Sequence, residues 1–221
     1  MTKYFYLLLI SIFIIGGLFI YDNSRFSNGK LHLVVCDVGQ GDGIYIRTAN
    51  GSDIVIDGGP DDSILNCLSR HMPFWDRTIE AVILTHPDAD HITGVIDVIE
   101  RYSVSNLFTQ PNAGTTLTYK RFIKALSDKN IKTTYVSVGD KIQFSDKTEF
   151  NIVWPESSIP KVNSTNLALN EFSVITILKY GNFKALLTGD AGVKVEDQIA
   201  SYIGKIDVLK VNTERKPMSV A

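Results

Sequence analysis

The chain has 221 residues, long enough for one sizeable domain, and 44% hydrophobic against 21% charged residues excludes a disordered polymer. A formal net charge of −2 carries no global basic signal, so composition does not demand a nucleic-acid partner, although it leaves room for a local basic patch. Two cysteines are too few for a disulfide framework.

Residues 4–21 form an uncharged apolar run with Lys3 just before it and a tyrosine at each end. About 20 apolar residues cross a bilayer, and a run this uniformly apolar does not suit the one-sided burial of a core helix. Residues 1–21 are therefore read as a transmembrane anchor in the cell membrane. Lys3 and the amino terminus favour a cytoplasmic start, which places the rest of the chain on the extracytoplasmic side. A cleaved signal peptide is the rival reading, but no Ala-x-Ala-like site follows the run. Residues 22–30, with Asn, Ser and Gly, read as a polar linker.

Residues 31–36 read as the first strand, with His32 a strand histidine rather than a ligand. Gly39, Gly41 and Gly43 let the chain turn sharply after Asp37, and residues 44–47 and 54–56 form a hairpin around Asn50-Gly51. Asp57-Gly58-Gly59-Pro60 closes this block at a glycine turn. Asp61 or Asp62 then caps a helix through Ile64, Leu65 and Leu68, and His71 interacts with its far end. Cys36 falls in the strand and Cys67 in the helix. Both are read as buried, unpaired thiols, although an extracytoplasmic location would permit one bond.

Chemistry concentrates in Thr85-His86-Pro87-Asp88-Ala89-Asp90-His91, where two of the four histidines and two carboxylates fall within six residues. Ala81-Val82-Ile83-Leu84 before it reads as a buried strand, and Ile92, Val95, Ile96 and Ile99 after it recur at helical spacing. The cluster thus occupies a strand-to-helix turn. His86 and Asp88 can face one way from an extended segment, while Asp90 and His91 open the helix and can face a second point. Two divalent metal ions fit this pattern, zinc first, with manganese or iron also suited to imidazole and carboxylate ligands. Two ions about 3.5–4 Å apart can share a bridging hydroxide as nucleophile. The competing reading makes Asp90 a helix cap and the histidines surface residues, which leaves His86 and Asp88 unexplained.

Residues 104–109 read as another strand and 119–126 as a helix with Phe122, Ile123 and Leu126 inward. Lys120, Arg121, Lys124, Lys129 and Lys132 form a basic face that could follow a phosphate backbone or simply be solvated. A second β block covers residues 133–138, 141–144 and 149–154, followed by a polar loop at 163–170 and a hairpin of 173–180 with 183–188. Gly189-Asp190 ends that hairpin, so Asp190 is a fifth candidate ligand or, alternatively, the cap of a helix at 193–203. Residues 206–211 read as a last strand. Two β blocks, each followed by helix, fit an α/β (α+β) sandwich with helices outside.

The segment from Thr85 to His91 resembles the His-x-His-x-Asp-His signature of the metallo-β-lactamase fold, with Asp88 standing at the second histidine. With Asp37-Val38-Gly39-Gln40-Gly41-Asp42 upstream and Leu187-Thr188-Gly189-Asp190 downstream, residues 31–211 are similar to the hydrolase domain of ComEC-type competence proteins. The resemblance implies an αββα sandwich with His86, Asp88, Asp90, His91 and Asp190 as metal ligands, Asp190 bridging both ions. It implies that Asp57 supports the ligands from behind, as does Asp42, although each is equally readable as a turn residue. Asn170 and Ser173 match an Asn-x-x-Ser element that would orient substrate or water, or make ordinary loop hydrogen bonds.

By the same resemblance the chain is a phosphodiesterase acting on extracellular DNA during uptake, with Asp90 catalytic in orienting the nucleophile and handling its proton. It would need a separate membrane channel partner. Hydrolysis of a small lactone, lactam or phosphodiester is the alternative. The family runs from its last strand into a His-His-Gly-Ser turn, whereas this chain reads Asn212-Thr213-Glu214-Arg215-Lys216-Pro217. The domain at 31–221 is therefore read as incomplete at its C-terminus, with a weakened second metal site that Glu214 could in principle reach. A non-catalytic remnant is the third reading.

Overall fold

The computed structural model describes residues 2–156 and 169–210. Helix α1 (Thr2–Phe26) leads into an antiparallel meander of β1 (His32–Val35), β2 (Ile44–Arg47) and β3 (Asp53–Ile56). Helix α2 (Ser63–His71) carries the chain to β4 (Thr78–Ile79) and then to β5 (Ala81–Ile83), which lies parallel to β3. Helix α3 (Ala89–Arg101), β6 (Ser103–Val104), β7 (Asn106–Thr109), α4 (Leu117–Asp128) and β8 (Lys132–Tyr135) follow. They complete a six-stranded sheet of order β1-β2-β3-β5-β7-β8, beside which β4 and β6 make a short parallel pair. The second sheet has the order β13-β12-β11-β10-β9, from β9 (Lys141–Gln143), β10 (Glu149–Trp154), β11 (Ile175–Tyr180), β12 (Phe183–Leu187) and β13 (Val208–Lys210). Helix α5 (Val193–Ile203) connects β12 to β13, which pair in parallel.

Alternation along the strands builds three apolar layers. Tyr45, Val55, Val82 and Leu107 face α2, α3 and α4 and pack on Leu68, Ile92, Val95 and Phe122. Their neighbours Ile44, Ile46, Ile54, Ile56 and Ile83 face the other sheet and meet Phe150, Ile152, Leu178 and Leu187. On the far side of that sheet Ile175, Ile177 and Leu186 pack on Val195 and Ile199 of α5. The result is the four-layer αββα sandwich expected. The central strands β2, β3 and β5 are buried on both faces, which is why they read as nearly continuous apolar runs.

Several expectations change. Helix α1 continues through Phe26, so the polar linker expected at 22–30 is helical over its first residues. No glycine or proline interrupts 22–26, and the last turn is tied down: Phe26 is buried and its carbonyl accepts from Arg47 Nε at 3.1 Å. Cys36 and Cys67 are joined in a disulfide rather than left as thiols, because β1 and α2 meet over one core with their Cα atoms 5.8 Å apart.

Ile123 points outward at 44% exposure, while Phe122 and Leu126 face in. The strand expected at 104–109 is split between β6 and β7, because Ser105 donates its N–H to Ile79 O. Asp62 occupies the N-cap position of α2 without a side-chain bond, while Asp61 Oδ1 accepts from Ser63 N at 2.9 Å. Residues 163–168 and 212–217, including Glu214, lie outside the described residues.

Candidate metal centre

The parallel strands β3, β5 and β7 end together, and the site forms on the loops beyond their carboxyl ends. Thr85 and His86 follow β5 and are buried. The chain then turns into α3, whose N-cap position is Asp88 and whose first turn carries Asp90 and His91. Asp90 is therefore not the cap, and α5 is capped by Gly192 rather than by Asp190.

The imidazoles of His86 and His91 lie 4.0 Å apart between ring centroids. His91 Nε2 is 3.4 Å from Asp190 Oδ2, and His86 Nε2 is 3.5 Å from Asp88 Oδ2. One ligand atom from each of His86, His91 and Asp190 falls within 4.8 Å of the others. The two histidines thus face one small volume rather than two separate points, a departure from the pairing expected from sequence. Asp90, half-buried, stays outside that group; its backbone carbonyl packs against Gly41, where an added Cβ would come within 2.1 Å.

Hydrogen bonds behind the rings fix their orientation. Asp57 is fully buried with φ 54°, and its carboxylate accepts from Thr85 N at 2.8 Å, from Thr85 Oγ1 at 2.6 Å and from His91 Nδ1 at 2.8 Å. A carboxylate only accepts, so the Thr85 hydroxyl spends its proton on Asp57 and must accept from His86 Nδ1, 3.1 Å away. Both imidazoles then carry hydrogen on Nδ1 and aim Nε2 at Asp190 and Asp88, where a proton or a metal ion can be held. Both Nε2 atoms are buried and neither has a directed hydrogen bond among the described residues. Two oriented, buried Nε2 atoms beside carboxylates suit a divalent metal ion.

A second group, Asp42, Asp57 and His91, is equally compact but already committed. Asp57 is bonded to His91 Nδ1, and Asp42 is ion-paired with Lys210 Nζ from β13. Asp42 therefore ties the glycine loop to the last described strand. Burial pushes its carboxyl above the usual range, and Lys210 only partly offsets that. For Asp190 burial acts in the same direction, but the nearby His91, with His86 and Lys210 adding, brings its carboxyl below the usual range. Burial lowers the basicity of His91, and Asp57 and Asp190 together more than reverse this, holding it well above an ordinary histidine. The pocket is electrically built for a cation.

Ser173 is fully buried with its hydroxyl 3.4 Å from His86 Nδ1, behind the ring. Asn170 lies nearby in sequence, its carbonyl accepting from Ser173 N, with its side-chain Oδ1 buried and unbonded among the described residues. Lys120, Arg121, Lys124, Lys129 and Lys132 are all exposed, with Lys124 paired to Asp128. Thr85 and Lys210 are the contributors that sequence reasoning missed. Thr85 stands directly before His86 but looks like a strand residue, and nothing around Lys210 marks it.

Residues 52–218 match the family model described as a beta-lactamase superfamily domain, well over half of the chain. Recombination protein 2 of Haemophilus influenzae is 28% identical over 179 residues, covering 79% of this chain and 20% of that protein. ComE operon protein 3 of Bacillus subtilis is 25% identical over 204 residues, 84% of this chain and 25% of that one. The chain thus spans a fifth to a quarter of the length of these relatives. Among solved structures, zinc-bound PqqB from Methylobacterium extorquens superimposes with a TM-score of 0.53 at 14% identity, over 78% of this chain and 60% of that chain. The αββα layers agree with that likeness, and the family match fixes what they belong to: the chain is a member of the beta-lactamase superfamily, with a metallo-β-lactamase fold.

Proposed function

We propose that the chain is a metal-dependent hydrolase held at the membrane by α1, a phosphodiesterase that cleaves DNA on the extracytoplasmic side during DNA uptake. The convergence of His86 Nε2, His91 Nε2 and Asp190 in a buried pocket carries this reading. His86, His91 and Asp190, with Asp88 beside His86, would hold a divalent ion, zinc first and manganese second; a second ion reached by Asp90 would bind more weakly. A bound ion supplies Lewis-acid polarisation of the phosphoryl oxygen. Asp57 and Thr85 hold the rings, Ser173 supports His86 from behind, and Asp90 at the opening of α3 takes a proton from the attacking water. Asn170 orients the substrate from the neighbouring loop.

DNA as substrate is supported by the name of one relative, a recombination protein, and by the exposed cations of α4 and the turn after it. Anchoring is supported by the apolar helix Lys3–Phe26, whose most apolar window is unburied, and by the hydrogen bond that ties its last turn to Arg47. The Cys36–Cys67 bond supports the oxidising side of the membrane. One candidate span lies among the described residues, and a membrane channel through which DNA passes is the proposed partner. A small phosphodiester is the second reading. It is favoured by a 450 Å³ cavity that reaches Pro87 and is lined by Gln110, Asn112, Tyr119 and Tyr135.

The test is metal content and cleavage of DNA against a chromogenic small diester, using the full chain in detergent beside Asp90→Ala and His86→Ala. The expected result is bound metal and metal-dependent DNA cleavage, with metal lost in His86→Ala and cleavage lost in Asp90→Ala. Cleavage of the small diester alone would select the second reading. Bound metal with no cleavage of either substrate would mark a non-catalytic remnant.

A further inference from the structure

The loop between α2 and β4 carries two aromatic residues that the core does not use. Phe74 and Trp75 are 62% and 38% exposed, and their rings stack edge to face at 4.9 Å. Trp75 also touches Phe19 of α1, with ring centroids 4.7 Å apart. The loop is held rather than loose: Asp76 N donates to Pro73 O at 3.0 Å, Asp76 Oδ1 accepts from Thr78 N, and Asp76 pairs with Arg47 at 3.4 Å. An exposed aromatic pair on a fixed turn calls for a partner.

Phe19 lies inside the apolar run, which ends at Tyr21 before Asp22. At about 1.5 Å of rise per residue, Phe19 sits roughly 4–5 Å below the first charged residue of α1. A residue in contact with Phe19 is therefore level with the boundary between headgroups and acyl chains, the depth that tryptophan favours. Above that level on α1 the exposed Arg25, whose guanidinium donates to Arg70 O at 3.2 Å, stands where an anionic headgroup would sit.

We propose that the 73–76 turn is a second membrane contact, seating Phe74 and Trp75 in the interface of the leaflet that α1 leaves. The proposal rests on the reading of α1 as a membrane span. It also fixes which way the site points. The turn precedes β4 and β5 and so lies at the amino ends of the parallel strands, whereas His86 and His91 lie past their carboxyl ends. With that turn on the bilayer, the metal pocket faces away from it, open to a polymer in the surrounding solution.

The chain contains two tryptophans, Trp75 and the buried Trp154, so the emission of Trp75 is obtained by subtracting a Trp75→Phe variant. The full chain is reconstituted in vesicles of phosphatidylcholine and phosphatidylglycerol carrying a nitroxide either near the headgroup or near the bilayer centre. The headgroup-proximal label should quench Trp75 at least about twofold more than the central one, and aqueous iodide should have little effect. Strong iodide quenching with no effect of either label would overturn the proposal. Protection from iodide without lipid quenching, together with a cross-linked dimer, would overturn it in favour of a second copy covering the pair. Alkaline extraction of the same vesicles tests the span separately: release of the chain refutes the anchor, whereas retention with an iodide-quenched Trp75 refutes only the second contact.

Discussion

Asp57 occupies a left-handed backbone position, φ 54°, which asparagine and aspartate tolerate better than other side chains with a Cβ. Its carboxylate accepts three hydrogen bonds at once, two from Thr85 and one from His91 Nδ1. Replacing it with asparagine keeps the volume and the backbone preference but turns one oxygen into a donor facing other donors. Asp57→Asn should therefore weaken metal binding by about 10–100-fold while far-UV circular dichroism stays unchanged, as removal of such supporting groups generally does. Competition with a chromophoric chelator measures it; an unchanged affinity would show that His91 is oriented without Asp57. From sequence, Asp57 was equally readable as a turn residue, because a positive φ in a glycine turn suits either role. Its hydrogen bonds run to residues 28 and 34 positions away, and local pattern does not carry them. Thr85 was hidden for the same reason: its hydroxyl has meaning only once β3 lies beside β5.

The way α3 sits against the β3 loop determines where His91 points. Gly58 N donates to His91 O, and Gly94 N donates to Gly59 O. The two backbones are so close that a Cβ on Gly94 would lie 2.0 Å from Gly58 O, and one on Gly58 would lie 2.3 Å from Val95 N. In an ordinary helix interior, glycine to alanine is stabilising by up to about 1 kcal/mol. Here the sign reverses, because the added methyl meets backbone that cannot swing aside. Gly94→Ala should cost about 1–3 kcal/mol as an overpacking change and should weaken metal binding as well, since the first turn of α3 must move. Urea unfolding and the same chelator competition read both effects; a more stable variant with native affinity would refute the close contact. The helices and hairpins were legible because their apolar periods are local. Ile123 was not, since its neighbours Phe122 and Leu126 already satisfy the inward stripe of α4. The division between β6 and β7 was equally hidden, because it depends on the pairing of β6 with β4.

For the whole domain, the bond between Cys36 and Cys67 closes a loop with a sequence separation of 31 that contains β2, β3 and the start of α2. Two cysteines this far apart carry no pairing signal in sequence, and only the packing of β1 and α2 over one core reveals it. Constraining the unfolded chain over such a loop contributes about 3–4 kcal/mol in the chain-entropy account, a large share of the 5–15 kcal/mol by which domains are usually stable. Adding a thiol reductant should lower the melting temperature of the full chain by roughly 10 °C, given about 2–4 °C per kcal/mol for a domain of this size. Cys67→Ala should start from the lowered value and respond no further to reductant. The same bond reports on which side of the membrane the domain lies, because disulfides persist outside the cytosol and are reduced within it. In cells opened under denaturing conditions with thiols trapped at once, a mass-tagged maleimide should label neither cysteine unless reductant is supplied first, and should then label both. Labelling of both without reductant would place the domain in the cytosol and remove extracellular DNA as its substrate, whatever the metal pocket proves able to cleave.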